Sequence, residues 1–381
     1  MIIELKGGQF VNQGAHLMLL AAKAAVHRYH SSAAIAMRDS RLSGSAARKK
    51  FGALRKQPLR RRGLDLSAAA YFLPRFSRDF LLKLDIVLEP DIDLILDLSG
   101  YGYGDPWGAH SMLATADEIN RMTRHGGRYI FLPQAFGPFT EIPLAVQKRF
   151  SSSLTKASLV AVRDSRSLSH LQQLPDFDDR NVSLFPDFTV ALMPTADRGY
   201  MSQVDDHTLI IIPNVRVQER ANEVGGESSY LATLQRVADV ARRASYRLAV
   251  LNHSVGEDDA LCRSIFRSVG ADVLIETADP LENKRTISAA GVVVSSRYHG
   301  CASALSMGIP CIGLGWSHKY DALFNDFDMQ PWVRGLSAMS DAPRLLGELL
   351  ESAHIVQARL FSVKQGLIGR TELMWAQILG V

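Results

Sequence analysis

Short apolar runs alternate along the chain with amphipathic stretches of helical length, and the alternation comes in two series. A run that is apolar throughout suits a strand buried on both faces of a parallel sheet. The 3.6-residue period between runs suits the crossover helices such a sheet needs. The first series predicts strands over 2–5, 33–37, 94–98, 129–132, 159–162 and 182–185. Across 187–204 the period weakens around Pro194, Asp197 and Gly199, as expected of a passage between domains. A second series predicts strands over 209–212, 248–251, 273–275, 292–295 and 311–314, and 340–379 is helical by period. At 381 residues the chain exceeds the size at which one core stops growing. The pattern is therefore read as α/β, with two Rossmann-like parallel-sheet domains facing a cleft: residues 1–195, then 196–345, then a helical segment 346–381 placed to return to the first domain.

Composition narrows this picture only slightly. With 47% apolar residues, 22% charged residues and a net charge of +4, neither disorder nor a nucleic-acid-coating polycation is implied. The charge is unevenly placed, however. Arg38, Arg41, Arg48, Lys49, Lys50, Arg55, Lys56, Arg60, Arg61 and Arg62 fall in one strip with Asp39 as its single carboxylate. The strip lacks interleaved aromatics, so no nucleic-acid partner is expected. Together with the segment Tyr71, Phe72, Leu73, Phe76 and Phe80 it reads either as a dock on an anionic membrane or as a solvated loop followed by a core-packing helix.

Cys262, Cys301 and Cys311 have no metal-ligand spacing, so no zinc site, no disulfide framework and no metal are expected. The start, Met1-Ile2-Ile3-Glu4-Leu5, has no signal-peptide pattern, and no apolar run approaches ~18 residues. The expected location is cytoplasmic, with the inner face of the membrane as the docking surface.

Ligands of open α/β sheets bind beyond the carboxyl ends of strands, so the chemistry is sought at the strand-to-helix junctions. The first, Gly7-Gly8 to His16, sets Asn12 and Gly14 before an Ala/Leu-rich helix, either as a polar-ligand loop or as a tight turn. The second, Ser99 to His110, mixes four glycines with Tyr101, Tyr103, Asp105 and Trp107. It reads as a sugar-facing loop, or as a surface loop with an aspartate turn. At the third, Gln134 precedes Ala135-Phe136-Gly137 at a strand end. At the fourth, a small apolar strand delivers Arg163 to the sheet edge, with Asp164 or Ser165 as helix cap; an Arg163–Asp164 ion pair is the alternative.

The fifth junction carries the most chemistry. The run Val292-Val293-Val294 emits Ser295-Ser296-Arg297-Tyr298-His299-Gly300, and a small-residue helix follows. Guanidinium, imidazole and helix N–H groups converge there on a place for an anion, phosphate by preference. His299 is a candidate general acid, with a structural histidine as the alternative. Lys319, after the next strand, either adds a second positive charge or is solvated.

Taken in order, Asn12 with Gly14, Gly104-Asp105, Arg163-Asp164-Ser165-Arg166-Ser167, Arg297-Tyr298-His299, Gly308-Ile309-Pro310 and Lys319 resemble the polysaccharide pyruvyl transferase family over residues 7 to 330. One position departs: the family's first turn commonly continues Asn-x-Gly-Asp, and here Ala15 stands at the acidic place. The resemblance implies a glycosyltransferase B-type fold, phosphoenolpyruvate as donor and co-substrate with no cofactor, and a pyruvate ketal formed on a sugar of a polysaccharide or lipid-linked precursor.

Under that resemblance the second domain holds the donor through Arg297, Ser296, Gly300 and Lys319, with Arg163 on its carboxylate. The first domain holds the saccharide through Asn12, Gly14, Tyr103, Asp105, Trp107 and Gln134. His299, Asp105 and Arg163 are the expected catalytic residues, working across a cleft that closes. A nucleotide-sugar-dependent glycosyltransferase of the same fold and a non-catalytic sugar or phosphate binder are the alternatives.

Overall fold

The computed structural model describes residues 1–39, 44–61, 64–194, 203–225 and 229–380. Arg41 and Arg62 of the basic strip, and Asp197 and Gly199 of the interdomain passage, lie outside the described residues. The chain forms two compact units. The first comprises Met1–Val11, Met18–Phe188 and Glu372–Val381, and the second comprises Asn12–Leu17 and Thr189–Thr371.

In the first unit the described strands form a parallel sheet in the order Val182–Leu184, Leu159–Val162, Arg128–Phe136, Leu94–Asp97, Ile2–Lys6, Ala34–Arg38, Leu54–Lys56, Ile86–Val87. Tyr101–Tyr103 pairs with the far end of Arg128–Phe136. In the second unit the order is Val273–Glu276, Arg247–Asn252, Thr208–Ile212, Val292–Ser295, Cys311–Leu314, Val333–Arg334, again all parallel. Each apolar run read as a strand is one, because a run apolar on both faces is stable only inside such a sheet.

The strands that the pattern did not predict are short and charged or set at an edge. Leu54–Lys56 carries Arg55 and Lys56, and Arg60–Arg61 pairs antiparallel with Leu64–Asp65. Neither has an apolar run to read.

The order in which successive strands are added reverses once in each sheet. The first unit grows outward from Ile2–Lys6 on one side and from Leu94–Asp97 on the other, and the second does the same around Thr208–Ile212 and Val292–Ser295. At these switch points the connections diverge to opposite faces and leave a crevice at the carboxyl edge. In the first unit Gly7 lines this crevice with a φ of 83°, and a Cβ there would come within 2.4 Å of Ser99 Oγ. Only glycine fits both demands.

Two segments belong to the unit remote from their neighbours in sequence. Gln13 donates from Nε2 to the Thr277 carbonyl at 2.6 Å and accepts from Asn283 Nδ2, which ties Asn12–Leu17 to the second unit. The helix Ala353–Leu379 leaves that unit at Thr371. In the first unit, Trp375 stands edge-on to Phe188 at 5.6 Å and Arg128 Nη2 donates to the Ile378 carbonyl at 3.1 Å.

The basic strip is not one surface. Arg48 is buried, donating to Asp39 at 2.7 Å and to the Ala53 carbonyl at 2.5 Å. Lys56 is buried between Glu4 and Glu118, each 2.5 Å away. Lys49 and Lys50 remain exposed. The segment expected either to pack in the core or to face a membrane is exposed: the helix Arg75–Leu82 has no buried residue, and Phe72, Phe76 and Phe80 are 88%, 76% and 62% exposed.

Candidate active site

The switch point of the second unit is built from the ends of three strands. Beyond Val292–Ser295 the turn is tied down closely. Ser295 Oγ donates to the Arg297 carbonyl at 2.9 Å and accepts from the Arg297 amide at 3.1 Å. Ser296, read as a donor-binding hydroxyl, is instead buried; its Oγ accepts from Tyr230 at 2.8 Å, and its carbonyl accepts from Asn214 at 3.0 Å and Tyr320 at 2.7 Å. A hydroxyl sealed this way holds the turn in place and does not reach a ligand. Gly300 is likewise buried, against Ser295 and Ile212.

Arg297 is the last residue before the helix Tyr298–Met307, and no side chain caps that helix. Its guanidinium, read in the sequence as a phosphate holder, is not open on every edge. Nε and Nη2 donate to Asp258 at 2.7 and 2.6 Å, and Nη2 also donates to Glu257 at 2.9 Å. Burial opposes the charge of Arg297, but the two carboxylates outweigh it and raise its pKa. Burial likewise holds Asp258 above the ordinary aspartate value, whereas at Glu257 the pull of Arg297 overcomes burial and lowers the pKa. Nη1 makes no hydrogen bond among the described residues. The fork is thus fixed by its inner edge while its outer edge remains available to an anion.

His299, one turn-position further, rests on the backbone at Gly14. A Cβ at that position would come within 2.0 Å of the imidazole Nδ1. Gly14, read as an acceptor-binding residue, therefore clears the space in which His299 sits. Asn12 caps the helix Gln13–Tyr29 by accepting from the Ala15 amide at 3.1 Å.

His253, at the end of strand Arg247–Asn252, is a site residue that the sequence reading missed. It is buried, its Nε2 has no hydrogen-bond partner among the described residues, and burial, followed by the charges of His299 and Arg297, lowers its pKa to about 3. Its ring is therefore neutral at ordinary pH. The available signal was the same as at the fifth junction: an apolar strand ending in polar Asn252-His253-Ser254 has no packing reason to do so. Lys319 Nζ lies 5.4 Å from the Tyr298 ring centroid and 5.5 Å from that of Trp316, so aromatic faces hold the ammonium beside the helix start.

The chain matches the model of the polysaccharide pyruvyl transferase family across residues 12–318. It belongs to that family. No curated protein sequence matches it. Among solved structures it is similar to HepE from Anabaena in complex with UDP, at TM-score 0.56 and 9% identity over 99% of this chain and 97% of that one. A putative UDP-N-acetylglucosamine 2-epimerase from Listeria monocytogenes gives TM-score 0.55 and 10% identity, covering 96% and 90%. An O-GlcNAc transferase mutant from Thermobaculum terrenum gives TM-score 0.46 and 15% identity, and this pyruvyl transferase family member spans 65% of that chain. At these identities the likeness is one of fold, the two parallel-sheet α/β domains of glycosyltransferase B proteins.

The first-unit candidates in this family member differ from their sequence reading in instructive ways. Arg163 is buried with its Nη1 3.3 Å from Asp187 Oδ2, a carboxylate far along the chain, so it does not stand open to a ligand. Asp164 caps the helix Ser165–Gln172, accepting from the Ser167 amide at 2.7 Å. Asp105 accepts from the Thr140 amide and hydroxyl and from the Glu141 amide, at 3.0, 2.7 and 2.9 Å, and so clamps that loop. Tyr103 is only 2% exposed and donates to Asp97 at 2.5 Å, so it is a core residue with one polar end and not a sugar platform. Trp107 is 54% exposed, edge-on to Tyr101. Gln134 is fully buried, and neither side-chain amide atom has a hydrogen-bond partner among the described residues.

Proposed function

We propose that the protein transfers the enolpyruvyl unit of phosphoenolpyruvate to two hydroxyls of a saccharide, forming a pyruvate ketal and releasing phosphate. The observation that supports this best is the second-unit switch point, where Arg297, held by Asp258 through Nε and Nη2, immediately precedes the uncapped start of Tyr298–Met307 and His299 lies in the first turn of that helix. Arg297 Nη1, the helix N-terminus and Lys319 take the phosphate.

His299 in its protonated form gives its proton to the methylene carbon, which becomes the methyl group and leaves C2 electron-poor. One sugar hydroxyl adds at C2, and its proton passes to the now neutral His299. The C2–O bond to phosphate breaks with its electron pair leaving on phosphate. The second hydroxyl closes the ketal, and its proton goes to the departing phosphate. Neutral His253 beside His299 adds no competing positive charge. No cofactor enters this scheme.

Incubation with phosphoenolpyruvate and a panel of glycosides is expected to release phosphate only when both are present, with the product gaining the mass of a ketal. Turnover of UDP-glucose in place of phosphoenolpyruvate would instead favour a glycosyltransferase.

The exposed Phe72, Phe76 and Phe80 support peripheral contact with an anionic membrane as part of this reading. Lys49, Lys50, Arg75 and Lys83 are exposed and make no ion pair among the described residues. Aromatic rings insert at the headgroup level, and nearby cations add to the attraction. Among the described residues no helix is long and apolar enough to cross a membrane. Co-sedimentation with phosphatidylglycerol vesicles, and its loss in the Phe76→Ser/Phe80→Ser variant, is expected; equal sedimentation of both proteins would remove the contact.

A further inference from the structure

The central strands of the first unit carry a cluster of charges that the transfer scheme does not use. Glu4 and Lys6 stand on Ile2–Lys6, Lys56 on Leu54–Lys56, Asp97 at the end of Leu94–Asp97, and Glu118 on the helix Gly108–Arg124. Lys56 Nζ lies 2.5 Å from both Glu4 and Glu118, and Lys6 Nζ lies 2.7 Å from Glu118 and 3.8 Å from Asp97. Glu4, Lys56 and Asp97 are buried. Three carboxylates thus share two ammonium groups, which leaves the cluster one positive charge short.

A net charge is far more costly to bury than a neutral cluster, so the missing charge is expected to be a proton. The carboxylates differ in how many donors reach them. Asp97 accepts from the hydroxyls of Tyr103, Tyr129 and Ser99 at 2.5, 2.6 and 2.6 Å, and from the Ser99 amide at 3.1 Å. Glu118 accepts from both ammonium groups. Glu4 accepts from Lys56 alone among the described residues. With the fewest donors, it gains least from being ionised.

Charges further out do not alter the count. Arg121, on the same helix as Glu118, is held by Glu89 at 2.6 and 2.8 Å and reaches Asp65 at 3.3 Å, and Arg60 stands opposite Asp65. Those two carboxylates and two guanidinium groups cancel. Arg38 and His110, on the wall of the adjoining cavity, are exposed and screened by solvent. Burial, helped by Glu118 and opposed by Lys56, raises the Glu4 pKa to about 7. At Glu118 burial acts the same way, but Lys56 and Lys6 outweigh it and lower the pKa. At both lysines burial opposes the charge, and Glu118 with the other carboxylates outweighs it, so both stay charged.

We infer that the cluster carries a proton on Glu4 as part of the folded structure, and that release of this proton is a pH-sensitive switch that weakens the first unit. Glu4, Lys6, Lys56 and Glu118 line a cavity of about 470 Å³, which gives the proton a route to solvent without unfolding. In the unfolded chain Glu4 releases its proton at the ordinary value of 4.5, and in the folded chain at about 7. The folded state is therefore unpenalised below 4.5, loses stability as the pH rises from 4.5 to 7, and carries the full penalty above that. Glu118 works in the opposite sense: its lowered pKa adds stability that is present above 4.5 and lost as the pH falls further. The first unit is consequently most stable in the weakly acidic range.

Infrared spectroscopy and thermal unfolding of the full chain at about pH 5.5 and about pH 8.5, either side of the Glu4 transition, test the switch. The wild-type protein is expected to show the carbonyl stretch of a buried, protonated carboxylic acid at the lower pH and to lose it at the higher. Glu4→Gln keeps the neutral form in nearly the same shape, so it is expected to lack that band. Its gain in unfolding midpoint over the wild type is expected to be larger by roughly 5 °C at the higher pH than at the lower. Taking the difference between the two proteins at each pH cancels the titration of groups that the substitution leaves alone. Glu118→Gln, which takes a partner from both lysines, is expected to lower the midpoint at both pH values. A wild-type spectrum with no protonated carboxyl at the lower pH overturns the inference whether or not any variant folds. A band that survives in Glu4→Gln, or a midpoint difference that is the same at both pH values, also overturns it.

Discussion

Replacement of His299 by Ala is expected to lower turnover by ~10²–10⁴-fold, the usual worth of a positioned general acid, with little change in the affinity for phosphoenolpyruvate. The separation follows from the geometry. The anion groups are Arg297, the helix start and Lys319. Arg297 is fixed by Asp258 and Glu257, and Lys319 by the rings of Tyr298 and Trp316. His299 sits against Gly14. Measuring phosphate release and phosphoenolpyruvate binding on the same variant separates the roles. Full turnover would remove His299 from the chemistry, and a matching loss of binding would make it a ligand-holding residue.

Asp258→Ala is expected to cost about 3–5 kcal/mol of stability, the range found when one partner of a buried ion pair is removed. Asp258 is fully buried, takes two of the three hydrogen bonds from Arg297, and accepts from the Val215 amide at 3.0 Å. Without it the guanidinium retains only Glu257, a partner whose side chain is 36% exposed, and one backbone N–H loses its acceptor. Urea unfolding reads this directly. The companion variant Glu257→Ala should cost less than about 1 kcal/mol, as expected for a partly exposed partner. Similar losses for the two would mean that Asp258 is not the anchor of the fork. Because the fork sets where Nη1 points, Asp258→Ala should also weaken phosphoenolpyruvate binding in whatever fraction remains folded.

These expectations revise what Arg297 is for. Sequence alone made it a bare charge for phosphate. In the folded chain its charge is already answered by two carboxylates, so its contribution to a ligand is directional, through one edge. Arg163 underwent a stronger version of the same change, since its charge meets Asp187 in a buried pair. A sequence shows which residue carries a charge, but the partner of that charge comes from another strand end. Glu257 and Asp258 lie some forty positions before Arg297 and belong to a loop with no motif of its own.

The apolar strands, their parallel arrangement in two domains and the junction at Val292–Ser295 were legible in the sequence; the short strands such as Leu54–Lys56 and Val333–Arg334 were not. An all-apolar run has only one comfortable place, and the polar residues that end it face the carboxyl edge. The local cap at Asp164 was legible for the same reason, being a contact within one turn. What only the tertiary structure decided are the pairings between segments distant in sequence: Lys56 with Glu4 and Glu118, Asp105 with the loop at Thr140, His253 beside His299, and Gly14 beneath it. Those depend on which strand lies next to which, an order that hydrophobic periodicity does not encode because every buried strand reads alike.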